Sequence, residues 1–261
     1  HMGKWHLCRD PETQGFDVNI AGCQWGSPKG GGYRSPYRYP NCEAREEGEY
    51  LTDRLGNEAV SFIESHAHRP FFLHFATYTV HSPLQAKADL VRKYRKRVPS
   101  EAHNHPAYAA MIHSLDENVG KIMNAIDELG LSERTLILFT SDNGGVWPTS
   151  KQWPLRAGKG SYYEGGIREP LFVAWPGMIE PGSTCETPVS GIDFFPTFLE
   201  VAGIEKPDDM LLDGESLLPL LTQSGPIENR ALFWHFPIYL QAYVSQGPYE
   251  TRDPKFRTRP G

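Results

Sequence analysis

Phe139-Thr140-Ser141-Asp142-Asn143-Gly144-Gly145 closes an apolar run that begins at Thr135, and this stretch decides the fold. A strand ending in a carboxylate, a carboxamide and two glycines sets two oxygen donors side by side at the carboxyl edge of a sheet. Open α/β sheets place their ligands at that edge. Soon after comes Gly158-Lys159-Gly160-Ser161-Tyr162-Tyr163-Glu164-Gly165-Gly166, a lysine in a glycine-rich loop that can approach an anion closely. Together the two segments point to a hard divalent cation beside a bound oxyanion. Turn chemistry is the competing reading of Asp142-Asn143-Gly144, because Asp and Asn also favour tight turns.

Working outward, apolar periodicity predicts helices over 49–65, 86–97, 107–129, 193–202 and 216–221. In the third of these, Leu115, Val119, Ile122, Ile126 and Leu129 form an apolar stripe, with Gly130 as the stop. Strands are predicted over 3–7, 71–77, 135–139, 170–174 and 232–236. Alternation within 3–7 sets Lys4 and His6 on one face and Trp5 and Leu7 on the other. Residues 16–48 read as a long structured loop. Strands alternating with helices imply an α/β fold with a mostly parallel sheet and helices on both faces, here one domain over 1–261.

A formal charge of −6 with no compensating basic face excludes nucleic acid as partner. The one basic run, Lys87, Arg92, Lys93, Arg95, Lys96 and Arg97, reads as a solvated helix face. Cys8, Cys23, Cys42 and Cys185 lack zinc-ligand spacing; they permit disulfides in three pairings without demanding any. No apolar run is long enough to span a membrane.

Asp142-Asn143-Gly144-Gly145, the Lys159 loop, Tyr78-Thr79-Val80-His81-Ser82-Pro83 and Gly3-Lys4-Trp5-His6-Leu7 together resemble the formylglycine-dependent sulfatases. That resemblance implies the three-layer α/β/α sandwich of the alkaline-phosphatase-like fold, incomplete at both ends of this chain. It implies calcium held in part by Asp142 and Asn143, with the remaining ligands upstream of residue 1. Lys159 would bind sulfate, and His81 would hydrogen-bond sulfate and protonate the leaving alcohol. Lys4 and His6 would hold the formylglycine hydrate that attacks sulfur. The usual glycine after Leu7 is Cys8 here.

The family's Cys/Ser-x-Pro-x-Arg signature, source of the formylglycine, occurs nowhere in the 261 residues, so no nucleophile can be assigned. The chain alone is therefore expected not to turn over. Substrate contacts are expected from His235 and from Trp25, Tyr33 and Tyr37, lining a cleft for a sulfated small molecule or saccharide. Glu164 and Arg168 are expected to be structural. The family implies a periplasmic or extracellular setting. Two other readings compete: a non-catalytic fragment that binds an anion or self-associates through exposed sheet edges, and a phosphate-ester hydrolase of the same superfamily. The latter would need two metals with several Asp and His ligands, and no such set is visible.

Overall fold

A computed structural model describes residues 1–97, 104–146, 149–227 and 230–235. The chain divides into two compact units, His1–Leu131 and the remainder from Ser132.

In the first unit, β1 (Met2–Gly3) pairs in parallel with β4 (Phe75–Ala76), Met2 opposite Phe75 and Gly3 opposite Ala76. The predicted strand 3–7 is thus shorter than expected. Gly3 has φ 101, His6 turns left-handed at φ 61, and Leu7 is 57% exposed, so alternation fails after Lys4. The His6 amide donates to Cys23 O (2.9 Å) in place of a ladder bond. Within 71–77 only Phe75–Ala76 pairs, and Phe72 is exposed.

The segment 16–48 forms a short hairpin, β2 (Arg38–Tyr39) with β3 (Cys42–Glu43). Its turn is Pro40-Asn41 with Asn41 at φ 57, the residues a type II turn asks for. What orders this long segment is a cluster of buried phenols. Tyr33, Tyr37, Tyr39, Tyr50 and Tyr78 are all nearly inaccessible. Their rings supply apolar area, and each hydroxyl has a partner. Tyr39 donates to Gly32 O (2.9 Å), Tyr50 to Gln85 O (2.8 Å), Tyr78 to Ala21 O (3.0 Å) and Tyr37 to Glu49 Oε2 (2.6 Å). Tyr33 and Tyr37 are therefore core residues and do not line a cleft; their bonds to the chain itself demand burial.

Helix α1 (Leu51–His66) buries Leu51, Leu55, Ala59 and Ile63, a strict four-residue repeat. It packs on α3 (Pro106–Glu128), while α2 (Ala88–Arg95) buries Leu90 and exposes its basic side chains, as the charge pattern predicts. The contact face of α3 differs from the predicted stripe. Ala110, Met111, Ser114, Asn118, Ala125 and Ile126 are buried, whereas Leu115, Val119 and Ile122 are half-buried and Leu129 is exposed. The reason is a polar seam. Asn118 Nδ2 donates to Asp53 Oδ1 (2.8 Å) and Ser114 O (2.7 Å), and the amide fills the space left by Gly56, where a Cβ would lie 2.1 Å from Asn118 Oδ1.

In the second unit, β5 (Ile137–Thr140) pairs antiparallel with β6 (Leu171–Ala174). Short helices α5 (Phe194–Val201) and α6 (Leu218–Leu221) fall where expected, and a further short helix that the sequence reading lacked, α4 (Glu164–Ile167), precedes β6. Asp193 is fully buried at the start of α5 and accepts from Ser190 N (2.7 Å), Glu215 N (3.0 Å) and Arg230 Nη2 (2.7 Å). Residues 231–235 form no strand, and Phe236 lies outside the described residues. All four cysteines are free thiols. Among the described residues no helix is long and apolar enough to cross a membrane.

Candidate functional site

The first unit carries Lys4, His6 and His81. Lys4 leaves the carboxyl end of β1, its amide bonded to Ala76 O (2.5 Å), and the loop bearing His81 leaves the carboxyl end of the adjacent β4. Parallel pairing thus sends both segments out at one sheet edge.

The His81 loop is fastened from several sides. Tyr33 Oη lies 2.5 Å from Tyr78 O and 2.8 Å from His81 O, the His81 amide donates to Tyr78 O (2.9 Å), and Thr79 Oγ1 meets Thr52 Oγ1 (2.6 Å). His81 Nδ1 faces Ser82 O at 2.9 Å. A carbonyl only accepts, so Nδ1 holds a proton and Nε2 is the ring atom left for a ligand. The His6 ring is exposed and rests on Gly26, where a Cβ would lie 2.5 Å from its Nε2. Beside it, Trp25 is half-buried and edges onto Tyr39, with centroids 5.8 Å apart.

The second unit carries Asp142, Asn143 and Lys159. Glycine backbone stitches these three into one cluster. Gly144 N donates to Gly166 O (3.2 Å) and the Lys159 amide to Gly145 O (3.0 Å). A Cβ on Gly144 would sit 1.9 Å from Gly165 O, and one on Gly166 would sit 2.3 Å from Ser161 O. Only bare backbone permits this approach, which sets the Lys159 main chain against the turn that follows Asn143. Asn143 Nδ2 donates to Gly144 O (3.1 Å), leaving its Oδ1 to accept elsewhere. Glu164 and Arg168 form an exposed ion pair (3.2 Å), consistent with a structural role. His235 is exposed.

Glu169 escaped the sequence reading. The β5–β6 pairing ends with Thr140 opposite Leu171, and Glu169 lies two residues before Leu171, within reach of the charge of Asp142. Burial, and then the charge of Asp142, push the Glu169 carboxyl above the usual range, and its Oε1 is buried without a hydrogen-bond partner. The register of β5 against β6 was the only signal that could have found it. Among the described residues, no group of three or more His, Cys, Asp or Glu is poised to hold a metal ion.

The sulfatase family profile matches residues 1–204, and a profile described as N-sulphoglucosamine sulphohydrolase, C-terminal, matches residues 158–258. A protein named sulfatase from Formosa agariphila is 38% identical over 74% of this chain and 38% of its own length. N-acetylgalactosamine-6-sulfatase of Rattus norvegicus is 33% identical over 95% of this chain and 50% of its own. Among solved structures, Ps i-CgsB in complex with k-i-k-neocarrahexaose aligns with TM-score 0.75 at 31% identity, covering 85% of this chain and 54% of that one. The chain therefore spans half or less of the length of these two curated relatives.

Proposed function

The chain belongs to the sulfatase family and carries its alkaline-phosphatase-like α/β fold, and on that premise we propose that it contributes to hydrolysis of a sulfuric ester on a carbohydrate. The observation that supports this reading best is the glycine-stitched cluster, which holds the Lys159 loop against the Asp142-Asn143 turn.

A compact lysine ammonium stabilises charge on sulfate oxygens as the ester bond breaks. His81, with Nδ1 committed to Ser82 O, offers Nε2 for hydrogen bonding to sulfate and, when the ring is protonated, for a proton to the leaving alcohol. Lys4 and His6 are assigned to the region of the nucleophile, a lysine favouring an ionised oxygen and an imidazole taking up a proton. Asp142 and Asn143 would hold calcium, and the orphaned Glu169 oxygen is donor chemistry that this cation prefers. Bound there, calcium would supply positive charge to an anionic ligand. Trp25 and His235 are assigned to the sugar.

Because the 261 residues lack a Cys/Ser-x-Pro-x-Arg signature, the chain by itself binds without turning over. Calorimetry in calcium tests this. A sulfated monosaccharide should bind, and Lys159→Ala should weaken it by about tenfold or more. Absence of binding by any sulfated saccharide overturns the reading. Hydrolysis of 4-nitrophenyl sulfate that Lys159→Ala abolishes overturns its non-catalytic part.

A further inference from the structure

The loop that carries Lys159 holds a second cation. Arg156 lies three residues earlier, and its main chain belongs to the same glycine-stitched cluster. Gly165 N donates to Arg156 O (2.8 Å), and a Cβ on Gly165 would lie 2.5 Å from both Arg156 O and Ala157 O. Gly144, next to Asn143, packs on the other side of Gly165, where its own Cβ would lie 1.9 Å from Gly165 O. A single glycine thus separates the Arg156 main chain from the turn that follows Asn143. Ala157, between Arg156 and Gly158, is held left-handed at φ 69, a conformation that L side chains disfavour. Such strain persists only where surrounding contacts over-determine it, and it clusters at ligand clamps.

The Arg156 side chain is exposed, yet it is fixed in place. Its guanidinium carbon stands 3.8 Å from the centre of the Tyr163 ring. So close an approach lays the face of the guanidinium on the ring and leaves the N–H donors at its edge unused. Among the described residues those donors make no hydrogen bond or ion pair, and the carboxylate beside Tyr163, Glu164, is taken by Arg168 (3.2 Å). A guanidinium held flat, with its donors free and no acid upon it, is prepared for an oxyanion. Its planar fork can span two oxygens of such an anion, which a lysine ammonium cannot do.

We propose that Arg156 is a second anchor for the oxyanion of the Lys159 loop, its fork spanning two oxygens, with Tyr163 as the residue that positions it. The proposal rests on the sulfate-ester reading above and adds to it a residue that binds the anion without taking part in bond breaking.

Calorimetry on the full chain in calcium, with inorganic sulfate as probe, decides it. Arg156→Ala should weaken sulfate by about tenfold. Arg156→Lys should recover only part of that loss, because the charge returns without the fork. Tyr163→Leu should weaken sulfate about two- to fivefold, whereas Tyr163→Phe should leave it unchanged, since the ring face is what holds the guanidinium. Arg168→Ala removes an equal charge from the same segment and should have no effect. Unchanged affinity in Arg156→Ala, or an equal loss in Arg168→Ala, overturns the anchor. Full recovery by Arg156→Lys overturns the fork, and an equal loss in Tyr163→Phe and Tyr163→Leu overturns the positioning role. If Lys159→Ala weakens sulfate while Arg156→Ala does not, the anchor falls and the sulfate-ester reading stands. If the unaltered chain binds no sulfate, both fall.

Discussion

The two units of the chain are held together by different physics. The first closes around apolar side chains, with Leu51, Leu55, Ala59, Ile63 and Met111 inaccessible and five buried tyrosines fastening the loop 16–48. In the second, Leu217 is the one hydrophobic residue that is buried among those described, while Phe139, Phe172, Ile192, Phe195 and Ile204 are exposed. Its order comes from backbone bonds between glycines and from the Asp193 hub. Hydrophobic burial is non-directional and tolerates repacking, whereas a hub of hydrogen bonds fails when one member is removed. The first unit should therefore yield gradually to substitution, and the second should fail at single points.

Alkali should separate them most. Burial holds the Tyr33, Tyr37, Tyr39 and Tyr78 phenols well above their ordinary value and pushes Tyr50 up to about 12. The folded first unit thus keeps protons that the unfolded chain releases near 10.0. That stability is complete below the unfolded value and is lost as pH rises from there through the folded values. Hydrogen exchange followed against pH should show the first unit opening above pH 10.0, while amides around Asp193 respond less. Simultaneous opening of both would break the contrast.

Next in size is Asp193→Ala, which strands a buried guanidinium already carrying two unpartnered nitrogens, Nε and Nη1. Removing one member of such a pair costs about 3–5 kcal/mol. Denaturant unfolding should show that loss in the second unit, with protection of α1 and α3 unchanged. Gly56→Ala is the counterpart in the first unit. A methyl group forced against Asn118 overpacks the α1–α3 seam at about 1–3 kcal/mol. A loss equal to that of Asp193→Ala would show the first unit to be as brittle as the second. Smallest is Arg168→Ala, since the Glu164–Arg168 pair is exposed and such pairs are worth about 0–1 kcal/mol. A larger change would reveal work for Arg168 beyond that contact.

What could be read from the sequence follows the range of each interaction. α1 and α3 were legible because helical periodicity is local, and β5 because an apolar run stops at Asp142. The glycines around Lys159 read as room for an anion, whereas what they permit in the structure is close approach of backbone to backbone. The seam face of α3 was misjudged because apolar counting gives no weight to Ser114 and Asn118, which are buried through bonds to partners on and beyond their own helix. Tyr33 and Tyr37 were placed in a cleft because a loop tyrosine looks available until the carbonyl or carboxylate it serves is known. Those partners are Tyr78 O, His81 O and Glu49, and the first two lie more than forty residues away. Glu169 stayed hidden for a similar reason, since only the pairing of β5 with β6 brings it near Asp142.

The His6 ring resting on Gly26 has a consequence for how such a sequence can drift. A Cβ at position 26 would stand 2.5 Å from that imidazole, so a side chain can enter there only when the ring moves or is replaced. Mutations at the two positions are not independent trials. A lineage that gains a side chain at position 26 must first give up or shrink the histidine, and one that keeps the histidine inherits the glycine. Two sites twenty residues apart thus drift in a set order, the histidine yielding before the glycine can.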